Sequence, residues 1–381
     1  MTHGRRPMAI YAVTIHGAKL GSRLLESFPE AELFVGEKYF KYAEAKATPL
    51  PFPVAPALKE TFDKYDCHVF ITSVGAAVRL STPYIKNKNI DPAVLCVDDA
   101  ARFCVCILSG HIGRGNEWTQ KVANALGATP VVTTASDVMG TISADILGRE
   151  YGWRVEANDK TITRACASCV NGAPILFVQE TGETGWWSNE KPLPGAIELV
   201  SSLDGVNPAG YETIMIVTDR DVSTELGASM EKTVIYRPGS LVLGLGCDKN
   251  TPPGLVERGV EKLMGQCGFS MSSVKQIATI DIKREEQAFL DLSKKYGWPI
   301  SYYPAEKLDR VEGIENPSKV VKKYTGTRGV AEPAALLTAG VNKLLVPKLS
   351  YTEPGAGKSM TMALARMEFA KDEMEAQHVG K

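Results

Sequence analysis

The turn at residues 109–117, Ser-Gly-His-Ile-Gly-Arg-Gly-Asn-Glu, places three glycines and one histidine between two regularly patterned segments. The apolar run before it, residues 103–108, is typical of a buried strand, and residues 118–126 have the spacing of an amphipathic helix. Glycines allow a ligand to approach the backbone closely, and the start of a helix presents unpaired N–H groups. Because ligands of open α/β sheets bind at the carboxyl ends of strands, this turn is a candidate binding site.

The sequence leaves two interpretations of this turn open. In the first, the turn is only a tight connection in which Asn116 caps the following helix. In the second, the turn binds an anionic ligand and His111 transfers protons. The histidine favours the second interpretation, because imidazole is the usual acid–base group near neutral pH.

Strand-like and helix-like segments alternate through residues 1–137 and predict an N-terminal α/β domain with a parallel or mostly parallel sheet. The predicted strands are residues 9–15, 67–72, 93–97, 103–108 and 130–134. Two further polar turns follow such strands, residues 73–79 with Gly75 and Arg79, and the acidic pair Asp98-Asp99. In a parallel sheet, these turns and His111 meet at one edge.

The rest of the chain predicts two more regions. Residues 138–239 have a weaker pattern, with a helix expected at 141–151, and are typical of a smaller α+β region. Residues 240–381 open with a strand and a helix and predict a C-terminal α/β domain, again with a mostly parallel sheet. The charged tail from residue 368 is expected to be frayed.

Composition excludes several classes of protein. The 381 residues carry a formal net charge of −1, which argues against a broad electrostatic surface for nucleic acid or an anionic membrane. No apolar run approaches the roughly 20 residues that span a bilayer, and the first residues lack the pattern of a signal peptide. We therefore expect a cytoplasmic protein with no nucleic-acid or membrane partner.

Two short motifs suggest ligands that the chain is not expected to bind. Cys166-Ala-Ser-Cys169 has the spacing of a metal or redox pair, but no second pair or histidine is nearby, so no metal site is predicted. Gly357-Lys358-Ser359 is similar to the end of a P-loop. The full pattern needs a glycine at position 352, where this chain has threonine, and a following helix, where this chain predicts a strand.

Several motifs occur in a fixed order along the chain. The N-terminal motifs are Ser-Val-Gly-Ala-Ala-Val-Arg at 73–79, Asp-Pro-Ala-Val at 91–94, Val-Asp-Asp at 97–99, Arg102-Phe103 and residues 108–116. The C-terminal motifs are Gly-Leu-Gly-Cys at 244–247, Val-Ala-Glu-Pro-Ala-Ala at 330–335 and Leu-Val-Pro-Lys at 345–348. This ordered set resembles the CbiG family of cobalamin biosynthesis, the cobalt-precorrin-5A hydrolases, over nearly the whole chain. Arg114 and Asp248 depart from the residues usual in the family.

The resemblance implies a reaction on a cobalt-bearing, ring-contracted tetrapyrrole that carries a δ-lactone. Water opens the lactone, and a two-carbon unit leaves as acetaldehyde to give cobalt-precorrin-5B. No organic cofactor is implied, and the cobalt arrives with the substrate. Other enzymes of the cobalamin pathway are possible partners. A non-catalytic protein that binds and hands over the tetrapyrrole is the alternative from another functional class.

This chemistry needs a base and groups that stabilise oxyanions, and the sequence offers candidates for both. We assign the base to His111, its orientation to Asp99, and a possible covalent role to Ser109. The candidate substrate-binding residues are Gly75, Arg79, Gly110, Gly113, Asn116, Glu332 and Lys348. The N–H groups at Gly110 and Gly113 are expected to hold an oxyanion or a carboxylate. Glu332 has the alternative of being an acid that only stabilises the start of its helix.

Overall fold

The computed structural model describes residues 4–187 and 191–370. The chain divides into two compact units, Met1–Ile146 and Leu147–Lys381. The boundaries expected after residues 137 and 239 stay predictions. Of the tail expected to be frayed, residues 371–381 lie outside the described part.

The first unit is built around a seven-stranded sheet with the order β3-β2-β1-β4-β5-β6-β7. Its strands are β1 Arg6–Ala12, β2 Glu32–Gly36, β3 Thr48–Leu50, β4 Tyr65–Ile71, β5 Ala93–Val97, β6 Phe103–Leu108 and β7 Thr129–Val131. Its α-helices are α1 Ile15–Ser27, α2 Ala55–Thr61, α3 Val74–Ser81, α4 Gly115–Leu126 and α5 Ala135–Met139. Leu24 of α1 and Val122 of α4 pack on one face of the sheet, whereas Leu58 of α2 and Ala77 of α3 pack on the other. All of β5 is buried, as expected for an apolar strand covered on both faces.

The strands of this sheet do not all run in the same direction. Strands β1 to β5 are parallel, whereas β6 is antiparallel to β5, and β7 follows the direction of β6. Leu108, at the end of β6, therefore pairs with Val94, near the beginning of β5. The expectation that the turns after these strands meet at one edge is wrong. A tight turn reverses the chain, because the Asp98 carboxylate accepts hydrogen bonds from the N–H groups of Ala100 (3.0 Å) and Phe103 (2.7 Å).

The second unit begins with a five-stranded sheet of order β10-β9-β11-β12-β8. Its strands are β8 Arg154–Glu156, β9 Ile175–Gln179, β10 Ile197–Val200, β11 Thr213–Val217 and β12 Thr233–Arg237. Its helices are α6 Asp159–Asn171 and α7 Ser223–Leu226. Four strands are parallel, and β8 closes one edge as an antiparallel strand.

A second five-stranded sheet of the same unit has the order β15-β14-β13-β17-β16. Its strands are β13 Leu241–Cys247, β14 Val274–Ile280, β15 Ile300–Tyr303, β16 Val346–Thr352 and β17 Ser359–Arg366. Its helices are α8 Pro253–Cys267, α9 Gln287–Tyr296, α10 Ala305–Asp309, α11 Lys319–Thr325 and α12 Ala331–Ala339. Strands β13 to β15 are parallel, whereas β16 and β17 form an antiparallel hairpin. Lys358 lies in that hairpin and not at the start of a helix, so the motif has no P-loop geometry.

A buried carboxylate joins the two sheets of the second unit. Asp219, after β11, accepts hydrogen bonds from the Arg366 guanidinium of β17 at 2.8 and 2.6 Å and from the Ser240 hydroxyl at 2.7 Å. The Asp219 side chain is only 1% exposed. A charge held this deeply depends on its partners, because no water replaces them.

One predicted helix of the first half is absent. Residues 141–143 are irregular, residues 144–148 form turns, and Arg149–Tyr151 close a single 3₁₀ turn. Gly140 and Gly148 have φ of +63° and +70°, values that interrupt a helix at both ends of the segment. This irregular segment brings Asp145 to the candidate site described next.

Candidate active site

The connection between β6 and α4, residues 109–114, is called the His111 loop. Ser109 and Arg114 both have positive φ, +57° and +62°, and Arg114 occupies the N-cap position directly before α4. A Cβ on Gly113 would lie 2.5 Å from the Ser109 Cβ, and one on Gly115 would lie 2.8 Å from the Cys106 sulfur. These two glycines are therefore required for the loop to fold tightly, whatever it binds.

The His111 ring lies between two aspartates. Its Nδ1 is 3.1 Å from both carboxylate oxygens of Asp145, and its Nε2 is 3.0 Å from Oδ2 of Asp137. The Ser136 hydroxyl is 3.1 Å from the same Nε2, and the Ser143 hydroxyl donates to Ser136. The His111 side chain is 15% exposed, so the ring is mostly covered but still in contact with solvent.

Hydrogen bonds to Asp137 and Asp145 raise the pKa of His111 to about 9, against the opposing effect of burial. The hydrogen bond and charge of His111 lower the pKa of Asp137 in turn. Burial acts to raise the pKa of Asp145, but His111 outweighs it and keeps that pKa below its ordinary value. The resting site thus holds an imidazolium between two carboxylates. A charged imidazole donates a proton, whereas the base role assigned to His111 from the sequence requires the neutral ring, and that assignment stays a prediction.

Asn116, just after the His111 loop, forms a hydrogen bond with Asp137. Its Nδ2 donates to the Thr134 hydroxyl (2.6 Å) and to Oδ2 of Asp137 (3.0 Å). The side-chain oxygen of Asn116 and the hydroxyl of Ser109 are buried without a hydrogen-bond partner. Buried polar atoms are normally paired, so both atoms remain able to bind a ligand or a water molecule. Asn116 lies inside α4 and is not its capping residue.

Gly110 and Gly113 are the two residues of the loop whose backbone N–H groups were predicted to bind substrate. Within the described residues, neither the Gly110 nor the Gly113 N–H donates a backbone hydrogen bond. A Cβ on Gly110 would lie 2.7 Å from the Asn116 side-chain oxygen, so the absence of a side chain at Gly110 leaves room for that amide. The oxyanion-binding role of these N–H groups stays a prediction.

The remaining predicted residues of the first unit lie elsewhere. Gly75 and Arg79 follow β4, and Asp99 follows β5, so they occupy the edge where these strands end. The His111 loop occupies the edge where they begin, and a strand as long as β5 separates the two edges by about 15 Å. Asp99 accepts a hydrogen bond from the Thr14 hydroxyl. Asp99 is therefore too far away to orient His111 as the sequence predicted, and the carboxylates that contact the ring are those of Asp145 and Asp137.

Glu332 and Lys348 belong to the second unit, and both form hydrogen bonds with Asn316. The Glu332 carboxylate, 2% exposed for the residue, accepts from the Lys348 N–H at 2.8 Å and twice from Asn316 at 2.9 Å. The Lys348 ammonium donates to the Asn316 carbonyl. Glu332 thus fixes a loop, and its buried oxygens are already occupied.

Sequence reasoning missed the two aspartates on His111. Asp137 follows β7, which is parallel to β6 and next to it, so the rule for carboxyl ends of strands points to it. Asp145 has no such signal, because it lies in an irregular segment 34 residues from His111.

Over the described residues, no cluster of three His, Cys, Asp or Glu side chains has the geometry of a metal site. In the same residues no helix is long and apolar enough to cross a membrane.

The raised pKa of His111 predicts a pH-dependent stability. The interactions of the imidazolium stabilise the fold fully below the unfolded-state pKa of about 6.5, and this contribution is lost as pH rises through about 9. We expect urea unfolding to give a larger stability difference between the wild type and His111→Gln at about pH 6 than at about pH 10. A difference that is the same at both values would contradict the charged pairing.

Comparison with known proteins places the whole chain in one context. Three family models match it: Cobalamin synthesis G N-terminal at 56–137, Cobalamin biosynthesis central region at 142–238, and Cobalamin synthesis G C-terminus at 241–365. A protein of Priestia megaterium named cobalt-precorrin-5A hydrolase is 40% identical over 91% of this chain and 93% of its own length. A protein of Salmonella typhimurium with the same name is 28% identical over 87% and 91%, respectively. The crystal structure of a putative cobalamin biosynthesis protein G homolog from Sulfolobus solfataricus aligns over 95% of this chain and 98% of its own, with 20% identity and a TM-score of 0.35.

Proposed function

The chain belongs to the CbiG family of cobalamin biosynthesis, and we propose that it is a cobalt-precorrin-5A hydrolase. The relative from Priestia megaterium that carries this name is matched over 93% of its length, so no large part of it lacks a counterpart here. The observation that carries the chemical proposal is the position of the His111 ring between Asp137 and Asp145, whose hydrogen bonds raise the pKa of the imidazole to about 9.

Lactone opening suits this pair of groups. The Asp137 carboxylate, 43% exposed, takes a proton from water as the water oxygen attacks the lactone carbonyl carbon. The C–O bond of the lactone then breaks, and the leaving oxygen takes the proton from Nε2 of His111. The acetate side chain is restored as an acid, and the two-carbon unit is left with a hydroxyl group.

Carbon–carbon cleavage follows with the roles reversed. His111, now neutral, accepts the hydroxyl proton at Nε2, and the electrons of the O–H bond form the carbonyl of acetaldehyde. The carbon–carbon bond breaks, its electron pair stays on the macrocycle, and the proton held by Asp137 is released to it. Both groups return to their starting charges. The base role predicted for His111 from the sequence therefore belongs to this second step.

The surface beside the pair suits a flat, acidic macrocycle. Val138 and Met139 of α5, which follow Asp137 directly, are 65% and 59% exposed. Such large exposed apolar side chains beside a polar site are typical of binding surfaces. Lys88 lies close enough to Asp145 to lower its pKa, and its ammonium offers a partner for a substrate carboxylate. We propose no organic cofactor, since the cobalt comes with the substrate.

The test is release of acetaldehyde. Purified protein is mixed with cobalt-precorrin-5A and no other cofactor, and acetaldehyde is trapped and quantified together with the tetrapyrrole product. We expect one acetaldehyde for each substrate consumed. Tight binding of the tetrapyrrole without release of acetaldehyde would instead support a carrier protein and contradict the proposal.

A further inference from the structure

The two aspartates on His111 differ in burial and in how they bind the ring. Asp145 is 10% exposed and places both of its oxygens 3.1 Å from Nδ1. Asp137 is 43% exposed and places one oxygen 3.0 Å from Nε2. A buried carboxylate with two contacts holds the ring, whereas an exposed one with a single contact is accessible to substrate and water.

We propose that Asp145 is the positioning residue of this site, which holds Nδ1 of His111 so that Nε2 is the nitrogen presented to Asp137 and the substrate. The inference rests on the proposed function for its catalytic consequence, but its structural content is independent of any substrate. Asp145 does not reach the reacting atoms, because the ring lies between it and Asp137. Its effect on the reaction passes through the tautomer and orientation of the imidazole.

Asp145 and the other side chains that contact the His111 ring bind different nitrogens. Asp145, from the segment after α5, contacts Nδ1, whereas Asp137 and Ser136 of α5 contact Nε2. Lys88, in the connection before β5, acts on Asp145. Arg114 and Glu117, at the start of α4, form an ion pair with each other at 2.7 Å.

Asp145 also shows that the site crosses a family-model boundary. His111 and Asp137 fall within the N-terminal match, which ends at residue 137, whereas Asp145 falls within the central match, 142–238. Yet all three side chains belong to the first compact unit. A fragment that stops at residue 137 therefore lacks the partner of Nδ1.

The experiment uses the full chain with Asp145→Asn, Asp145→Glu and the control Asp63→Asn. Asp63 forms an exposed ion pair with Lys86 in the same unit, and its replacement is the same change from aspartate to asparagine. The first readout is the pH titration of the His111 ring nitrogens by ¹⁵N NMR, without substrate. The second is the pH dependence of kcat and KM for acetaldehyde release.

We expect Asp145→Asn to lower the titration midpoint of His111 by about one pH unit or more. We expect kcat to fall on the order of 10²-fold, with KM little changed, because binding groups are retained. Asp145→Glu keeps the charge and is expected to restore part of the rate and most of the midpoint, while Asp63→Asn matches the wild type in both readouts.

The outcomes separate this inference from the proposed function. If the wild type releases acetaldehyde but Asp145→Asn leaves both the midpoint and kcat unchanged, the positioning role is wrong and the hydrolase proposal stands. If Asp145→Asn shifts the midpoint but the wild type releases no acetaldehyde, the ring-holding contact stands and the hydrolase proposal is wrong. If kcat falls in Asp145→Asn with no shift of the His111 titration midpoint, and Asp145→Glu does not restore the rate, the loss reflects structural damage and the inference is overturned.

Discussion

Replacing His111 by glutamine is expected to reduce the kcat for acetaldehyde release by about 10²–10⁴-fold, the range for loss of a general acid–base group. Glutamine keeps a polar side chain of similar length but cannot carry a proton from Nε2 to the leaving oxygen. Because His111 acts in both proposed steps, the loss applies to lactone opening and to carbon–carbon cleavage. Quantified acetaldehyde and the tetrapyrrole product under single-turnover conditions give the measurement.

The matched control for this variant is His16→Gln. His16 is an exposed histidine in the first turn of α1, at the edge of the sheet opposite the His111 loop. We expect this variant to keep the wild-type rate. An undiminished rate in His111→Gln would contradict the proposed role of His111, and a loss of rate in His16→Gln would place the chemistry at the other edge.

Replacing Asp219 by asparagine is expected to lower the free energy of unfolding of the second unit by about 3 kcal/mol, the lower end for breaking a buried ion pair. The asparagine amide carries no negative charge to balance the Arg366 guanidinium, and the amide NH₂ group faces the N–H donors of that guanidinium. The loss stays at the lower end because the Arg366 side chain is 34% exposed and retains water. Urea unfolding followed by tryptophan fluorescence measures the change, because four of the five tryptophans, among them the buried Trp298, belong to this unit.

Asp204→Asn is the control, since Asp204 is exposed in the same unit. We expect its stability to match the wild type within about 0.5 kcal/mol. An Asp219 variant as stable as this control would show that the two sheets do not depend on the buried contact.

The sequence was sufficient to predict the strand, turn and helix around His111. Residues 103–108 and 118–126 carry strong apolar patterns, and Gly127 has the φ of +70° that a helix end favours. The sequence also contains a signal for the direction of β6. Only residues 98–102 connect β5 to β6, and this length is too short for the crossover that two parallel strands need.

The partners of His111 were harder to predict. Asp145 lies within residues 141–151, whose polar and apolar spacing favours a helix, and the positive φ of Gly140 and Gly148 prevents that helix without indicating where the carboxylate lies. Asp99 was selected because an acidic pair at the end of a strand is conspicuous. Its carboxylate instead binds the hydroxyl of Thr14, the residue that caps α1. Local sequence predicts such turns, but contacts between distant segments depend on the packing of the whole unit.

A crystal structure of the inactive His111→Gln variant with cobalt-precorrin-5A bound tests the central claim most directly. The account predicts the macrocycle against Val138 and Met139, with the lactone carbonyl carbon facing residue 111 and a carboxylate oxygen of Asp137 nearby. A macrocycle bound beside Gly75 and Asp99, at the edge where β4 and β5 end, would contradict it.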